Sequence, residues 1–261
     1  MGYSKHCIYD HTEYSKNIDI GKTNMRLHRF YINEMHNRFG PISMGEVVWI
    51  HDEKLINQWL RVLRYHVGDE LVLFNDQEER LYKIIVIDKT TSIKLEMLTE
   101  LKRKIPTKQV YLLWSLLKKD KNDWVIQKAT EIGVHKLVPL LADRSEKTGF
   151  NIDRAHKIAI EAAEQCGRGD IPEVREPITT LEAVQEYGNI ELLICEQHEN
   201  SEKLETKLLD KVGLLVGPEG GWSDTEKELF KNSHVSHIGL GDFTLRAETA
   251  SVVALARLFS G

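Results

Sequence analysis

Two short runs near the end of the chain carry residue types that could do chemistry. The first is VGPEGGWS, residues 216–223, and the second is LGDFTLRAETA, residues 240–250. Each stands where an apolar strand pattern stops and a helical one starts, and in open parallel sheets ligands gather beyond the carboxyl ends of strands. Gly217, Pro218, Glu219, Gly220 and Gly221 offer main-chain amides and carbonyls with little side-chain bulk, so a flat molecule can approach the backbone closely. A phosphate loop needs a lysine after its glycines, whereas the central side chain here is the carboxylate of Glu219. Nor does a spaced-glycine dinucleotide fingerprint follow the first strand. A neutral or cationic small molecule therefore fits better than a nucleoside triphosphate. One such run alone is as well explained by a tight strand-to-helix turn; two in succession favour a site.

The side chains of the second run suggest what such a site could do. The guanidinium of Arg246 could polarise a carbonyl and offset negative charge building on a substrate ring. The alternative is an Arg246–Glu248 surface pair, or a helix-start contact. Glu248 is a second catalytic candidate, as a base, although a carboxylate needs desolvation to become basic enough. Further back, Glu164 and Gln165 on a helix and Arg168 just past it are expected near the ligand end of the sheet, where Arg168 would pair with phosphate or position a base; solvated surface charge is the alternative. Lys128 and Glu131 share a helix face and suit an intrahelical pair. Cys7, Cys166 and Cys195 show no metal-ligand spacing, the histidines are scattered, and no metal site is expected.

The whole chain sets the bounds. At 261 residues, with 41% hydrophobic and 29% charged residues, it has the composition of a soluble enzyme of one or two domains. No stretch is long and apolar enough to span a membrane, and residues 1–24 lack a secretory pattern, so a cytoplasmic protein is expected. A net charge of −5 argues against a broad electrostatic nucleic-acid binder. Lysine and arginine nevertheless number 13 against 12 acids in residues 25–105, and 19 against 25 in residues 106–261, so the amino-terminal part is the more basic.

The elements that must position these residues follow two regimes. Residues 29–32, 46–50, 70–74, 81–87 and 92–98 read as short strands with polar turns, a small β-rich module in which a closed barrel is expected, interrupted by a helix over 53–65. Lys102, Arg103 and Lys104 before Pro106 mark a linker. Beyond it, strands at 110–116, 136–141, 190–195, 213–216 and 235–240 alternate with helices at 124–132, 153–167, 224–232 and 247–259, the pattern of a parallel sheet covered on both faces. Asp153 is placed as the cap of the second helix, and Ser223 with Glu226 as a capping box for the third.

Seven ordered blocks carry a family resemblance: MRLHRF at Met25, RVLR at Arg61, GDELVLF at Gly68, IQKATEIGV at Ile126, EAAEQCGR at Glu161, VGPEGGWS at Val216 and LRAETA at Leu245. Over residues 25–259 the chain resembles the bacterial 16S ribosomal RNA uracil-N3 methyltransferases of the RsmE type, within the SPOUT superfamily of knotted methyltransferases. The resemblance implies an α/β fold. Its carboxy-terminal SPOUT-type parallel-sheet domain, residues 105–261, would carry a deep trefoil knot; a small amino-terminal PUA-like β-barrel, residues 25–104, would bind RNA; and residues 1–24 would form an extension, expected to be disordered and dispensable. It further implies S-adenosylmethionine as cofactor, 16S ribosomal RNA of the small subunit as substrate, and a homodimer packed through the knot region.

By the same resemblance the cofactor would be held by Leu193, Cys195 and Glu196 at one strand end and by Val216 with residues 217–221. Leu240, Gly241, Leu245, Arg246, Thr249 and Ala250 would complete the set. Arg26, Arg29, Arg61 and Arg64 are the candidate phosphate contacts, the last two on one helix. The segment Asp242-Phe243-Thr244 departs from the family, where a proline and an arginine are common. The rival readings are a non-catalytic RNA-binding protein with a PUA-like domain and a knotted methyltransferase acting on transfer RNA or on protein.

Overall fold

The alternating apolar pattern of the first module builds a five-stranded sheet in the structure, a computed structural model that describes residues 27–32, 44–88, 91–145, 149–196, 210–233 and 235–259. Its strands are β1 (Arg29–Tyr31), β2 (Val47–Ile50), β3 (Glu70–Phe74), β4 (Glu79–Asp88) and β5 (Ser92–Glu100), in the order β1-β3-β4-β5-β2. Only the β1–β3 pair is parallel. Because strand side chains alternate between faces, Val48, Ile50, Leu71, Leu73, Tyr82, Ile84, Ile93 and Leu95 converge on one core with Phe30 and Trp59, while Val47 and Trp49 point outward. Register shifts between Leu81 and Tyr82 and between Ile84 and Val86 bend β4 as a bulge does. The two ends of the strand path, β1 and β2, do not pair among the described residues.

The helix expected over 53–65 is shorter and changes type. Asp52 caps α1 (Glu53–Asn57), accepting from the Lys54 and Leu55 amides at 2.9 Å each. A wider π-type turn over Gln58–Val62 follows, with Leu63 N bonded to Gln58 O at 2.9 Å, and Arg64 then turns left-handed at φ 58°. Arg61 and Arg64 are therefore not neighbours on a regular helix face, which corrects that expectation.

The second module is a parallel sheet in the order β12-β10-β11-β6-β7-β8. Its strands are β6 (Gln109–Ser115), β7 (Lys136–Leu141), β8 (Glu173–Val174), β9 (Ile178–Thr179), which pairs with β7, β10 (Glu191–Glu196), β11 (Lys211–Val216) and β12 (Ser236–Gly239). The helices are α2 (Lys119–Ile132), α3 (Ile152–Cys166), α4 (Thr180–Tyr187), α5 (Asp224–Lys231) and α6 (Ala247–Phe259).

Near-continuous apolar strands serve two faces at once. Val110, Leu112 and Trp114 pack under α2, α3 and α6, and Tyr111 and Leu113 under α4 and α5. At Gly213 the strands pack closely: an added Cβ would lie 2.6 Å from Leu192 Cδ2 and 3.1 Å from Leu113 Cδ1, so the ends of those side chains would have to move. The α3 cap is Asn151, accepting from Arg154 N at 2.8 Å, and not Asp153, which sits in the first turn where its charge suits the helix dipole. The capping box at Ser223 and Glu226 forms as read. The structure adds β8, β9 and α4 to the elements expected, and Thr179 with Glu182 forms a second capping box at the start of α4.

The modules meet at the amino end of this sheet. Arg29 pairs with the buried Glu79 and donates to Arg168 O at 3.1 Å, and Tyr31 N donates to Glu164 Oε1 at 2.9 Å. The linker is pinned there by Gly169 N to Lys104 O at 2.7 Å and Arg103 Nε to Gly169 O at 3.0 Å. Among the described residues no helix is long and apolar enough to cross a membrane. The proposed 1–24 extension and Arg26 lie outside the described residues.

Candidate active site

At the opposite, carboxyl end of the sheet, Cys195 near the end of β10 and the turns leaving β11 and β12 enclose a cleft of about 350 Å³, within the roughly 300–1,000 Å³ of small-molecule sites. The topology explains its place: β10 lies between β11 and β12, so the chain exits three neighbouring parallel strands on the same edge.

The first wall is the turn after β11. Gly217 runs against the Trp222 indole so closely that a Cβ would lie 2.9 Å from both Cε2 and Nε1. Gly221, left-handed at φ 67°, closes the bend by donating to Pro218 O at 2.8 Å. Arg144 holds the turn from behind, Nη1 to Gly220 O at 3.0 Å. The exit into α5 is fixed by the buried Glu226, whose carboxylate accepts from Ser223 N (2.8 Å), Thr180 Oγ1 (2.7 Å) and Asp143 N (3.2 Å). The Glu219 and Gly220 amides find no protein acceptor among the described residues, which leaves donors available to a ligand.

The second wall is the turn after β12. Gly241 adopts φ 129°, and Arg257 from α6 donates to the Gly239 carbonyl and, at 3.4 Å, to Leu240 O. Both turns thus have carbonyls tied back by an arginine. Cys195 stands on the wall between them, its thiol pushed up to about 12 by burial and so held protonated.

The cleft brings together Cys195, Val216, residues 217–221, Leu240, Gly241, Leu245 and Ala250. Three proposed cofactor contacts are not on its wall. Leu193 is fully buried in the core, two residues before Cys195 on the same face of β10; Thr249 and Arg246 are not among the lining residues. Of Glu196 only the backbone is described. The Arg246 side chain is exposed and makes no hydrogen bond or ion pair among the described residues, so the Arg246–Glu248 pair does not form. Glu248 instead faces Lys121, Nζ to Oε2 at 3.5 Å, and Lys121 also bonds Glu219. That bond is the chief cause holding the Lys121 ammonium above the ordinary lysine range.

Arg168 belongs elsewhere. It is buried at the far end of the sheet, with Nε and Nη2 on Asp170 (3.0 and 2.7 Å) and Nη1 on Thr130 O and Val134 O (3.0 Å each). A guanidinium so committed has no fork left for a phosphate or base, which corrects the expectation of a catalytic role. Arg29 is likewise a joint between the modules and not a surface phosphate contact, its side chain only 11% exposed. Glu164 shares that seam, where burial raises its carboxyl to about 7. Arg61 and Arg64 are exposed and make no ion pair among the described residues. Lys128 and Glu131 form the intrahelical pair, at 2.8 Å.

Sequence reading missed Lys121, Arg144, Trp222 and Arg257. Lys121 and Glu219 stand 98 positions apart, and no periodicity joins a helix lysine to a distant loop.

The donor set defines what fits. Bare amides, an apolar floor and a mixture of Arg144, Lys227 and Glu219 suit a flat zwitterion that also carries a cationic centre, while among the described residues no group of three or more histidine, cysteine or acidic residues could hold a metal ion.

Comparison with known proteins agrees with this chemistry. The RNA methyltransferase domain family matches residues 103–259, and the RNA methyltransferase PUA domain matches residues 60–96. The ribosomal RNA small subunit methyltransferase E of Rickettsia conorii is 31% identical over 241 residues, covering 90% of this chain and 96% of that protein. Its namesake in Bacillus subtilis is 29% identical over 222 residues, covering 78% and 86%. The crystal structure of a ribosomal RNA small subunit methyltransferase E from Neisseria gonorrhoeae bound to S-adenosyl methionine superposes with a TM-score of 0.78 at 26% identity, covering 90% of this chain and 98% of that one.

Proposed function

The chain belongs to the RNA methyltransferase family that includes the ribosomal RNA small subunit methyltransferases E, and from that premise we propose that it methylates N3 of a uridine in 16S ribosomal RNA with S-adenosylmethionine as donor. The cleft walled by two backbone turns carries the reading. Residues 217–221 with Leu240, Gly241 and Leu245 would hold the donor by main-chain groups, and the Gly217–Trp222 contact leaves no room for a Cβ. When bound, S-adenosylmethionine supplies an electrophilic methyl group on a sulfonium.

The chain's own residues then have three tasks. The acceptor nitrogen must be aligned with the methyl carbon, which two arginine-anchored turns favour by being rigid. N3 lies on the Watson–Crick edge, so the base must be unpaired and splayed into the site. Finally, N3 carries a proton at neutral pH and becomes nucleophilic only as that proton leaves. Arg246, whose exposed side chain is uncommitted among the described residues, is assigned to polarise a uracil carbonyl and to offset charge on the imide. Glu248, with Oε2 buried and lacking a hydrogen bond among the described residues, is assigned as the alternative group that takes the proton.

Residues 25–104 are read as the RNA-binding module, with Arg61 and Arg64 as phosphate contacts, and residues 105–261 as the catalytic domain. Its last strands and helix form a trefoil knot in this reading, packed against a second copy of the chain. Titration calorimetry with S-adenosylmethionine tests the donor assignment: micromolar binding supports it, and no binding leaves a non-catalytic RNA-binding protein. Methylation assays that set undermethylated small subunits against transfer RNA test the substrate.

A further inference from the structure

The cluster around Lys121 is not explained by holding the donor alone. Lys121 lies in the first turn of α2, with its ammonium bonded to Glu219 of the first glycine turn and 3.5 Å from Oε2 of Glu248 at the head of α6. Three segments remote in sequence therefore share one cation. Its side chain is 26% exposed and that of Glu248 only 15%. Oε2 of Glu248 is buried and, among the described residues, has the Lys121 ammonium as its charged neighbour and no closer hydrogen-bond partner. Two carboxylates facing one small volume repel unless a cation stands between them.

The position of the cluster gives it a consequence for the site. Glu219 belongs to one wall of the cleft, and Ala247, next to Glu248, belongs to the other. The Lys121 ammonium therefore ties the two walls together from outside. Arg246 directly precedes α6, and Ala250 N bonds Arg246 O at 2.8 Å, so whatever fixes the first turn of α6 also fixes where Arg246 starts from.

We infer that Lys121 is a positioning residue for methyl transfer: through Glu219 it sets the turn that receives the donor, and through Glu248 it sets the helix head from which Arg246 projects. This rests on the methyltransferase reading. An exposed lysine–glutamate pair with no such coupling contributes little, and its loss would leave the site alone.

The test replaces Lys121 in the full chain and measures donor affinity by calorimetry and the single-turnover rate on undermethylated small subunits at saturating donor. Lys121→Met is expected to weaken donor binding about tenfold and to slow the saturated rate about tenfold, with Lys121→Gln behaving alike should the methionine variant fold poorly. Lys121→Arg, which restores the cation, recovers most of both. A wild-type chain that neither binds donor nor methylates would sink the methyltransferase reading itself. An active wild type whose folded Met and Gln variants stay within about twofold of it on both measures would overturn the role of Lys121 alone.

Discussion

The two ends of the parallel sheet use the same residue types to opposite effect. At the amino end Arg168 gives its donors to Asp170, Thr130 and Val134, Arg29 joins Glu79 to the Arg168 carbonyl, and the linker is bonded to Gly169. At the carboxyl end, among the described residues, the Arg246 side chain is uncommitted, the Glu219 and Gly220 amides lack protein acceptors, and an oxygen of Glu248 is buried without a hydrogen bond, facing only the Lys121 ammonium. Arg168 is saturated because an unpaired buried donor costs stability, even though Arg29 Nε and Glu79 Oε2 beside it are buried without a hydrogen bond among the described residues. A site keeps some of its polar groups open, since a ligand must have something to bind. Satisfaction of the guanidinium, and not its presence in a motif, separates the structural arginine from the catalytic candidate.

The strongest way to break this comparison is to remove the saturated arginine. Arg168→Met leaves Asp170 and two carbonyls without their partner, and a loss of about 3–5 kcal/mol in unfolding free energy is expected by denaturant titration. The fraction that remains folded should bind donor normally; a stable Arg168→Met variant that loses methylation would return that residue to the site. Arg246→Ala should do the reverse. Stability is expected to change by less than about 0.5 kcal/mol, while the methylation rate falls about 100-fold at unchanged donor affinity.

The seam between the modules sharpens the comparison through pH. Burial raises the Glu164 carboxyl from 4.5 to about 7, so the folded chain binds this proton more tightly than the unfolded one. Its stabilising contribution is then complete below about 4.5 and is lost as pH rises through 7. Between those limits wild type should lose about 1–3 kcal/mol that Glu164→Gln does not. Parallel unfolding curves for the two proteins across that window would contradict the assignment. The smallest effects are expected at the exposed arginines of the first module. Arg61→Ala and Arg64→Ala should each weaken RNA binding only a few-fold and lower the slope of log affinity against log salt by about 1. An unchanged slope would remove them as phosphate contacts.

Much of the second module could be read from the sequence because local signals and tertiary roles coincide there. The largely apolar strands 136–141 and 213–216, the box at Ser223 and Glu226 and the start of α6 at Ala247 each fit local signal and burial together. The glycine turns were legible for the same reason, since backbone that must bend or lie bare admits few other residues. Relations across the chain were not legible. Arg168 follows a helix end just as a ligand-binding arginine could, and only the fold brings Thr130 and Val134 to it. Lys121 sits among other lysines until a loop 98 positions on folds over it. The π-type turn after Asn57 was hidden because its apolar spacing imitates an ordinary helix.

The most direct test of the central claim is chemical. The chain would be incubated with S-adenosylmethionine labelled on its methyl group and with undermethylated small ribosomal subunits, and the RNA digested to nucleosides for mass spectrometry. Label in 3-methyluridine from 16S RNA is the predicted result, and label on a ribose, on another base, or nowhere in the RNA would contradict it.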